Sequence, residues 1–496
     1  MRERNEQEEI RFGKLKELRE QGEAYPNDVR LNATSKAIVA DAAKEPEEAE
    51  RFTIAGRMVA CRMMGKAAFI HLQDRDGRAQ SYVRKNDVGD DAYAAFKAFD
   101  IGDLVEVSGY VFVTKTGEPT LYAESIRLLT KSLIPLPEKW HGLADVDSRY
   151  RYRYVDLIAN PEVADVFRKR ATIINYIRNF LDNRDYVEVE TPVLSNVASG
   201  AIAKPFTSHY NALGADMFLR IALELPLKKL IVGGLERVYE LGKVFRNEGL
   251  SKKHNPEFTM IEFYEAYATF TDLMDLTEKL ICGLAEKVCG SNKITFAESE
   301  IDFSGPWKRI SMKDSIHEIG GVSKDHDLDD LETLKKVAAE NKIELSEPAD
   351  WGHCLEDLWG ELVEGKIADP VFITHHPFSI SPFARKNAED SRITDRFELI
   401  IAGMEIANAF SELNDPEDQQ QRLQAQIDKK AGGAEEVADM DDDYIKALEY
   451  GMPPTGGEGI GIDRLVMLLT NSHTIREVVL FPQLKQLAPV TSNEEE

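Results

Sequence analysis

The chain has 496 residues, 43% of them apolar and 30% charged, which is room for roughly two to four domains with cores of their own. Its 87 acidic residues outnumber 61 basic ones for a net charge of −26, a balance that argues against indiscriminate binding to nucleic acid or anionic membrane. No apolar run reaches the roughly 18 residues of a membrane span, the start MRERNEQEEIRFGKLKELRE is too polar for a signal peptide, and Cys61, Cys282, Cys289 and Cys354, with no CxxC among them, read as reduced cytosolic thiols.

Residues 1–24 read as a polar helix stopped by Gly22 and Pro26-Asn27, and Lys44-Glu45-Pro46-Glu47-Glu48 closes a linker, so 1–50 forms a helical extension. From Phe52 to Lys131 the pattern turns to five short β-rich runs: FTIAGRMVACRMM, AAFIHLQD, AQSYVRK, DLVEVSGYVFV and TLYAESIRLL. Breaks at Gly65-Lys66, Asp76-Gly77, Gly102-Asp103 and Thr116-Gly117 separate them. Such runs suit a small closed barrel over 51–132, and the OB-fold is the commonest barrel of that size that binds oligonucleotides. Residues 51–86 hold eight basic side chains and two acidic ones, a local +6 that the whole-chain charge hides. After residue 150 the balance is 38 basic to 61 acidic.

A proline-marked connector, IPLPEKWHG then SRYRYRYVDLI, spans 133–160. The Arg149–Tyr154 run is expected to link two domains, with alternate side chains packing on both, rather than to form an RNA patch. Between 161 and 489, helical and strand patterns mix. VADVFRKRATIINYIRNFLDNRD has apolar residues at helical spacing and ends at Asn183, and VEVETPVL reads as a strand stopped by Pro192. MFLRIA, VYELGKVFR and FTMIEFYEAY are strand-like, FELIIAGMEIANAFSEL alternates, and 311–367 looks like a charge-rich, mostly helical insertion. Strands and helices without a βαβ rhythm predict an α+β domain built on an antiparallel sheet with flanking helices. Residues 490–496 read as a disordered tail.

The chain contains no GxxxxGK[ST], no GxGxxG after a strand and no HExxH, so a P-loop is excluded as a nucleotide site. His375-His376 would point to opposite faces of a strand, which favours a structural role over metal binding. Two constellations stand out. FRNEGLSKKHNPEF (245–258), continuing into TMIEFY, sets a basic loop between two strand-like runs. Arg246 of that hairpin can grip a phosphate bidentately, and Phe258 offers a ring face to a base. GEGIGIDRLVMLL (457–469) allows close backbone approach at its glycines and opens a buried helix with Arg464. Either one alone is as well explained by a charged hairpin or a glycine-rich turn.

Together, and in this order, they resemble motifs 2 and 3 of the class II aminoacyl-tRNA synthetases. YVEVETP (186–192) resembles motif 1, which in that class supports a dimer interface. The barrel with GKAAFIHLQDRDGRAQ is similar to the OB-fold anticodon domain of the aspartyl, asparaginyl and lysyl enzymes. KPFTSHYNAL, RFELIIAGMEIANAFSELNDPEDQ and GMPPTGGEGIGIDRL resemble the bacterial-type lysyl family specifically. The likeness covers nearly the whole chain. It implies activation of L-lysine with ATP, transfer to the 3′ end of tRNA(Lys), Mg²⁺ as cofactor, and a cytoplasmic homodimer with no membrane partner.

The resemblance also implies residue roles. Glu224 and the Gly200 backbone would take the α-amino group of lysine, Arg246 and Asn408 its carboxylate, and Glu262, Tyr264 and Glu412 the ε-ammonium, with Phe410 in the same pocket. A carboxylate ~4 Å from an ammonium gains roughly 4 kcal/mol at an effective dielectric of about 20, and it would repel aspartate. Glu398 and Glu405 would hold Mg²⁺ against the ATP phosphates. They would face opposite sides of an unbroken strand, so Gly403 is expected to mark a bulge. Arg246 would contact the α-phosphate, Arg464 and His254 the outer phosphates and Phe258 the adenine, with Glu248 and Asn255 completing the ATP set. Arg246, Arg464, Glu398 and Glu405 are the expected catalytic residues.

In the barrel, Phe69 and Gln80 match positions that read the central anticodon base, Arg62 and Glu118 are weaker matches, and the +6 segment would meet stem phosphates. The chain departs from the family pattern at Lys204 and Lys253 (arginine expected), at Leu223 and Pro226 (proline and tyrosine) and at Ala409 (glycine), the last expected to narrow the pocket. The acidic pocket disfavours the aspartyl and asparaginyl enzymes. The barrel argues against the paralogue that lysylates elongation factor P, and the intact arginines and glutamates argue against a degenerate regulator.

Overall fold

A computed structural model describes residues 4–22, 24–40, 50–137, 145–201, 203–347, 349–431 and 440–485. The expected linker at 44–48 and tail at 490–496 lie outside the described residues. The chain divides into two units, Met1–Pro161 and Glu162–Glu496.

In the first unit, helix α1 (Glu6–Gln21) is capped at both ends. Asn5 accepts from the Glu8 amide, Glu8 accepts from the Asn5 amide, and Gly22 ends the helix at φ 80°. Strands β1 (Arg51–Met64), β2 (Ala67–Asp74), β3 (Gly77–Arg84), β4 (Leu104–Val113) and β5 (Pro119–Thr130) close a barrel in the order β1-β2-β3-β5-β4. Alternation sends Ile54, Ile70, Leu72, Val83, Val107 and Leu121 into its core. The Arg149–Tyr154 run is not an alternating connector. It lies in two short helices, Val146–Arg151 and Arg153–Ala159, so Tyr150, Arg153 and Asp156 are buried while Tyr152 and Tyr154 are exposed.

The second unit carries helices α2 (Val163–Asp182), α3 (Glu224–Val232), α4 (Phe270–Cys289) and α5 (Ile462–Thr470) around an eight-stranded sheet. Its strands in chain order are β6 (Val187–Glu188), β7 (Arg237–Phe245), β8 (Glu257–Ala266), β9 (Lys308–Ser311), β10 (Val371–Thr374), β11 (Arg396–Ile401), β12 (Met404–Ser411) and β13 (Thr455–Gly461). They lie in the order β9-β10-β11-β12-β13-β8-β7-β6. The six inner strands are antiparallel to one another, while the edge pairs β9–β10 and β7–β6 are parallel. VEVETPVL is not one strand. Val187–Glu188 alone joins this sheet, because the Thr191 amide and hydroxyl turn aside to bond Glu240, and Leu194–Ser195 pairs elsewhere. The stretch 311–367 contains helices Met312–Glu318, Leu331–Asn341 and Trp351–Leu362, packed on a hydrophobic cluster of their own.

Helices α2, α4 and α5 bury one face of the sheet with residues such as Ile173, Ile177, Leu280, Leu284, Leu465 and Leu468. Glu458 of β13 points into this core, where Thr277 Oγ1 lies 2.6 and 2.7 Å from its two carboxyl oxygens. Burial pushes the Glu458 carboxyl well above the ordinary carboxylate range. The folded chain therefore keeps a proton that the unfolded chain sheds near pH 4.5. Stability is complete below that pH and falls as pH rises toward the folded pKa, by ~1.4 kcal/mol per unit. Glu458→Gln keeps the shape and removes the titration. Thermal melts should show it more stable than the parent at about pH 8, with the gap closing as the pH is lowered toward the carboxylate range.

Candidate active site

The sheet's register assembles the site on the face opposite that core. One row runs Glu262, Gly459, Asn408, Glu398 across β8, β13, β12 and β11, and the next runs Tyr264, Gly457, Phe410, Arg396. Gly457, Gly459 and Gly461 recur at every second position of β13, so the middle of this face is bare backbone. A Cβ at Gly457 would stand 2.1 Å from Glu412 Oε1 and 2.4 Å from Tyr264 Cε1. Above this floor opens a cavity of about 470 Å³. Gly200, Glu224, Arg246, Glu248, His254, Asn255, Phe258, Glu262, Tyr264, Glu405, Asn408, Phe410 and Arg464 line it. Glu412 is buried at its closed end, over Gly457, and Glu398 lies in the Asn408 row.

Three carboxylates converge at the closed end. Glu262 accepts from the Leu223 amide at 2.9 Å and from the Tyr264 hydroxyl at 3.0 Å. Burial, with the neighbouring Glu224 charge, pushes it up to about 7. The departure at Leu223 matters here, since a proline would have no N–H to donate. Burial also raises Glu412, whose Oε1 has no hydrogen-bond partner among the described residues. Gly200, at φ 92°, brings its backbone over Glu224, and a Cβ there would lie 3.5 Å from the Glu224 Cβ. Ala409 does not narrow the pocket as expected. It pairs with Glu458 in the row that faces the core.

Glu398 and Glu405 do not share a strand. Ala402 and Gly403, at φ 51° and 61°, turn β11 into β12, so Gly403 belongs to a hairpin turn and not to the expected bulge. The bulge is at Ile406, because Leu399 faces Ala407 while Ile400 faces Glu405. That slip of one residue brings Glu405 to the face of Asn408 and Glu398. Enclosure in the cleft, and then the Glu398 charge, raise the Glu405 pKa.

At the open end, the Arg246 guanidinium lies 5.3 Å from the Phe258 ring and has no ion pair among the described residues; its buried Nε has no partner. Arg464 donates to the Glu405 carbonyl at 2.8 Å and approaches His254 Nε2 at 3.1 Å. Partial burial, together with Arg464, lowers the His254 pKa. The neutral ring then accepts at Nε2 and donates from Nδ1 to Ser251 Oγ at 2.8 Å. Asn255 is committed to the loop, since Nδ2 donates to the Glu257 carbonyl at 2.7 Å and Oδ1 accepts from the Gln483 amide at 3.3 Å. These bonds fix the side chain against the loop and leave its second N–H over. His375-His376 is not a strand pair. His375 turns at φ 59° after β10, and buried His376 contacts the Ile373 carbonyl at 3.1 Å.

On the barrel, Arg62, Phe69 and Tyr82 are register neighbours across β1, β2 and β3, and His71 pairs with Gln80. The Phe69 and Tyr82 rings are 4.8 Å apart, and Glu118 lies 3.7 Å from His71. The four anticodon candidates thus gather on one outer face. Three of the eight basic side chains of the +6 segment are paired with acids that lie outside 51–86 in the chain, Arg51 with Glu124, Arg84 with Asp87 and Lys85 with Asp90.

Residues 145–485 match the family model for class II tRNA synthetases (D, K and N), and residues 52–129 match that for the OB-fold nucleic acid binding domain. The chain belongs to the class II tRNA synthetases. This synthetase is 50% identical over 489 residues to a lysine–tRNA ligase of Bacillus subtilis (strain 168), an alignment covering 97% of this chain and 98% of that one. It is 50% identical over 477 residues to a lysine–tRNA ligase of Thioalkalivibrio sulfidiphilus (strain HL-EbGR7), covering 95% and 96%. With a lysine–tRNA ligase of Pelotomaculum thermopropionicum (strain DSM 13744 / JCM 10971 / SI) it shares 52% identity over 483 residues, covering 97% and 95%. Among the described residues, no helix of the synthetase is long and apolar enough to cross a membrane.

Two residues in and behind this synthetase's cleft escape a reading of the sequence. Arg396 donates from Nε to Asn408 Oδ1 at 3.1 Å, from Nη1 to Ser381 Oγ at 2.9 Å and from Nη2 to Glu398 Oε1 at 2.6 Å. It thereby occupies the Asn408 carbonyl and leaves the amide N–H groups for a ligand. Its position two residues before Glu398 on one strand is the signal that could have found it. Lys228 lies wholly buried between Glu224 and Glu412. In the sequence, Glu224–Lys228 looks like any exposed i,i+4 helix pair.

Proposed function

We propose that this synthetase is a lysine–tRNA ligase, which joins L-lysine and ATP into lysyl-adenylate and pyrophosphate and then passes lysine to the 3′ end of tRNA(Lys). The observation that carries the substrate choice is the convergence of buried Glu224, Glu262 and Glu412 over a glycine floor. Carboxylates held out of water suit a substrate with two ammonium groups and repel an anionic side chain. Glu224 and the Gly200 backbone receive the α-amino group, Arg246 and the Asn408 amide the carboxylate, and Glu262, Tyr264 and Glu412 the ε-ammonium.

In the first step a carboxylate oxygen of lysine attacks the α-phosphorus, the bond to the bridging oxygen breaks, and pyrophosphate leaves. The carboxylate is already ionised near neutral pH, so no general base is needed. Arg246 neutralises charge at the α-phosphate, Arg464 with His254 meets the outer phosphates, and Phe258 stacks on adenine. In the second step a hydroxyl of the terminal ribose attacks the carbonyl of the mixed anhydride and AMP leaves. Glu398 and Glu405 fit Mg²⁺, since they are hard donors on one face whose mutual repulsion a divalent cation relieves. When bound, that ion supplies further neutralisation of the phosphates.

Exposed Val187, Val193 and Leu194, within and just after the motif 1 segment, support assembly as a homodimer. The substrates place its work in the cytoplasm. ATP–pyrophosphate exchange with each of the twenty amino acids tests the activity. Lysine alone should drive it, and exchange driven by aspartate or asparagine would overturn the reading. Phe69→Ala should lower tRNA charging about tenfold or more, at ~1–3 kcal/mol per stacked base. Exchange should stay at the parent rate, and equal losses in both assays would remove Phe69 from anticodon reading.

A further inference from the structure

Lys228 places a cation behind the carboxylates of a pocket shaped to receive one. It lies one turn after Glu224 on α3, is fully buried, and its Nζ ion-pairs with both Glu224 Oε1 and Glu412 Oε2. Phe383, Phe410 and Tyr444 surround the ammonium with ring centroids at 5.1, 5.4 and 5.8 Å, the setting that cation–π attraction favours. Burial opposes its charge, but the two carboxylates outweigh burial and hold the lysine protonated. Glu224 and Glu412 each give one oxygen to Lys228 and keep the other, and Glu412 Oε1 has no hydrogen-bond partner among the described residues.

We propose that Lys228 is a positioning and specificity residue that ties Glu224 and Glu412 to one fixed cation and so sets the separation of their two remaining oxygens. The inference rests on the pocket reading above, in which Glu224 serves the α-amino group and Glu412 the ε-ammonium. On that reading lysine, with four methylenes, is the chain length that meets both remaining oxygens at once. Ornithine, one methylene shorter, satisfies one carboxylate and leaves the other buried without a donor. Lys228 also offsets one of three carboxylates, which leaves two to face a substrate that brings two ammonium groups.

Lys228→Met removes the charge at nearly constant length, and Lys228→Arg keeps it. In ATP–pyrophosphate exchange, K228M is expected to raise the lysine KM about tenfold or more and to narrow the preference for lysine over ornithine by about the same factor. The ATP KM should stay within about twofold of the parent, and K228R should retain more of the preference than K228M. A lysine with a structural duty alone would lower the melting temperature without moving the lysine-to-ornithine ratio. A folded K228M with the parent's lysine KM and ratio overturns the proposal, as does failure of both variants to fold. Glu412→Gln tests the pocket reading separately, because an unchanged lysine KM in that variant removes the pocket assignment whatever Lys228 does.

Discussion

Arg246→Ala should lower lysine-dependent ATP–pyrophosphate exchange by roughly two to three orders of magnitude, the usual cost of losing one preorganised donor at a developing charge. The guanidinium is already in place over Phe258 and makes no ion pair among the described residues, acting on Glu405 only at a distance. Its removal therefore leaves no orphaned carboxylate behind, and the fold has no reason to change. The loss should appear mainly in kcat, with thermal melting at the parent temperature. Parallel losses in melting temperature and activity would instead make Arg246 a structural member of the β7–β8 hairpin.

Glu412→Gln should raise the lysine KM by about tenfold to a hundredfold, as expected for a hydrogen bond to a charged group worth ~1.5–3 kcal/mol. The amide keeps the shape, so Gly457 and Tyr264 still fit beneath it. It cannot supply the negative charge that Oε1 holds free at the closed end of the cavity. The proposed ATP contacts, Arg246, Arg464 and Phe258, lie at the other end, so the ATP KM should hardly move. A lysine KM at the parent value would take Glu412 out of ammonium recognition.

The hairpin of β7 and β8 is legible in the sequence because a charged loop interrupts two alternating runs, and period-two register then carries Glu262 and Tyr264 to one face. The glycines at 457, 459 and 461 are legible for the same reason. Glu398 and Glu405 are harder. Their spacing gives opposite faces on a straight strand, and neither the Ala402-Gly403 turn nor the slip at Ile406 follows from alternation. Lys228 is hidden because helix spacing pairs it with Glu224 whether α3 is exposed or buried, and burial depends on what packs over it. The +6 of 51–86 is only partly visible along the chain, because Glu124, Asp87 and Asp90 reach Arg51, Arg84 and Lys85 from outside the segment. Counts along a chain do not see charge neutralised across a fold.

A crystal structure of the synthetase with L-lysine and a non-reactive ATP analogue decides how the amino acid lies in the cavity. The ε-ammonium should lie among Glu262, Tyr264 and Glu412, with the α-carboxylate toward Arg246 and the Asn408 amide. Lysine bound in the reverse sense, with its side chain toward Arg246, or bound outside this cavity, would contradict the account.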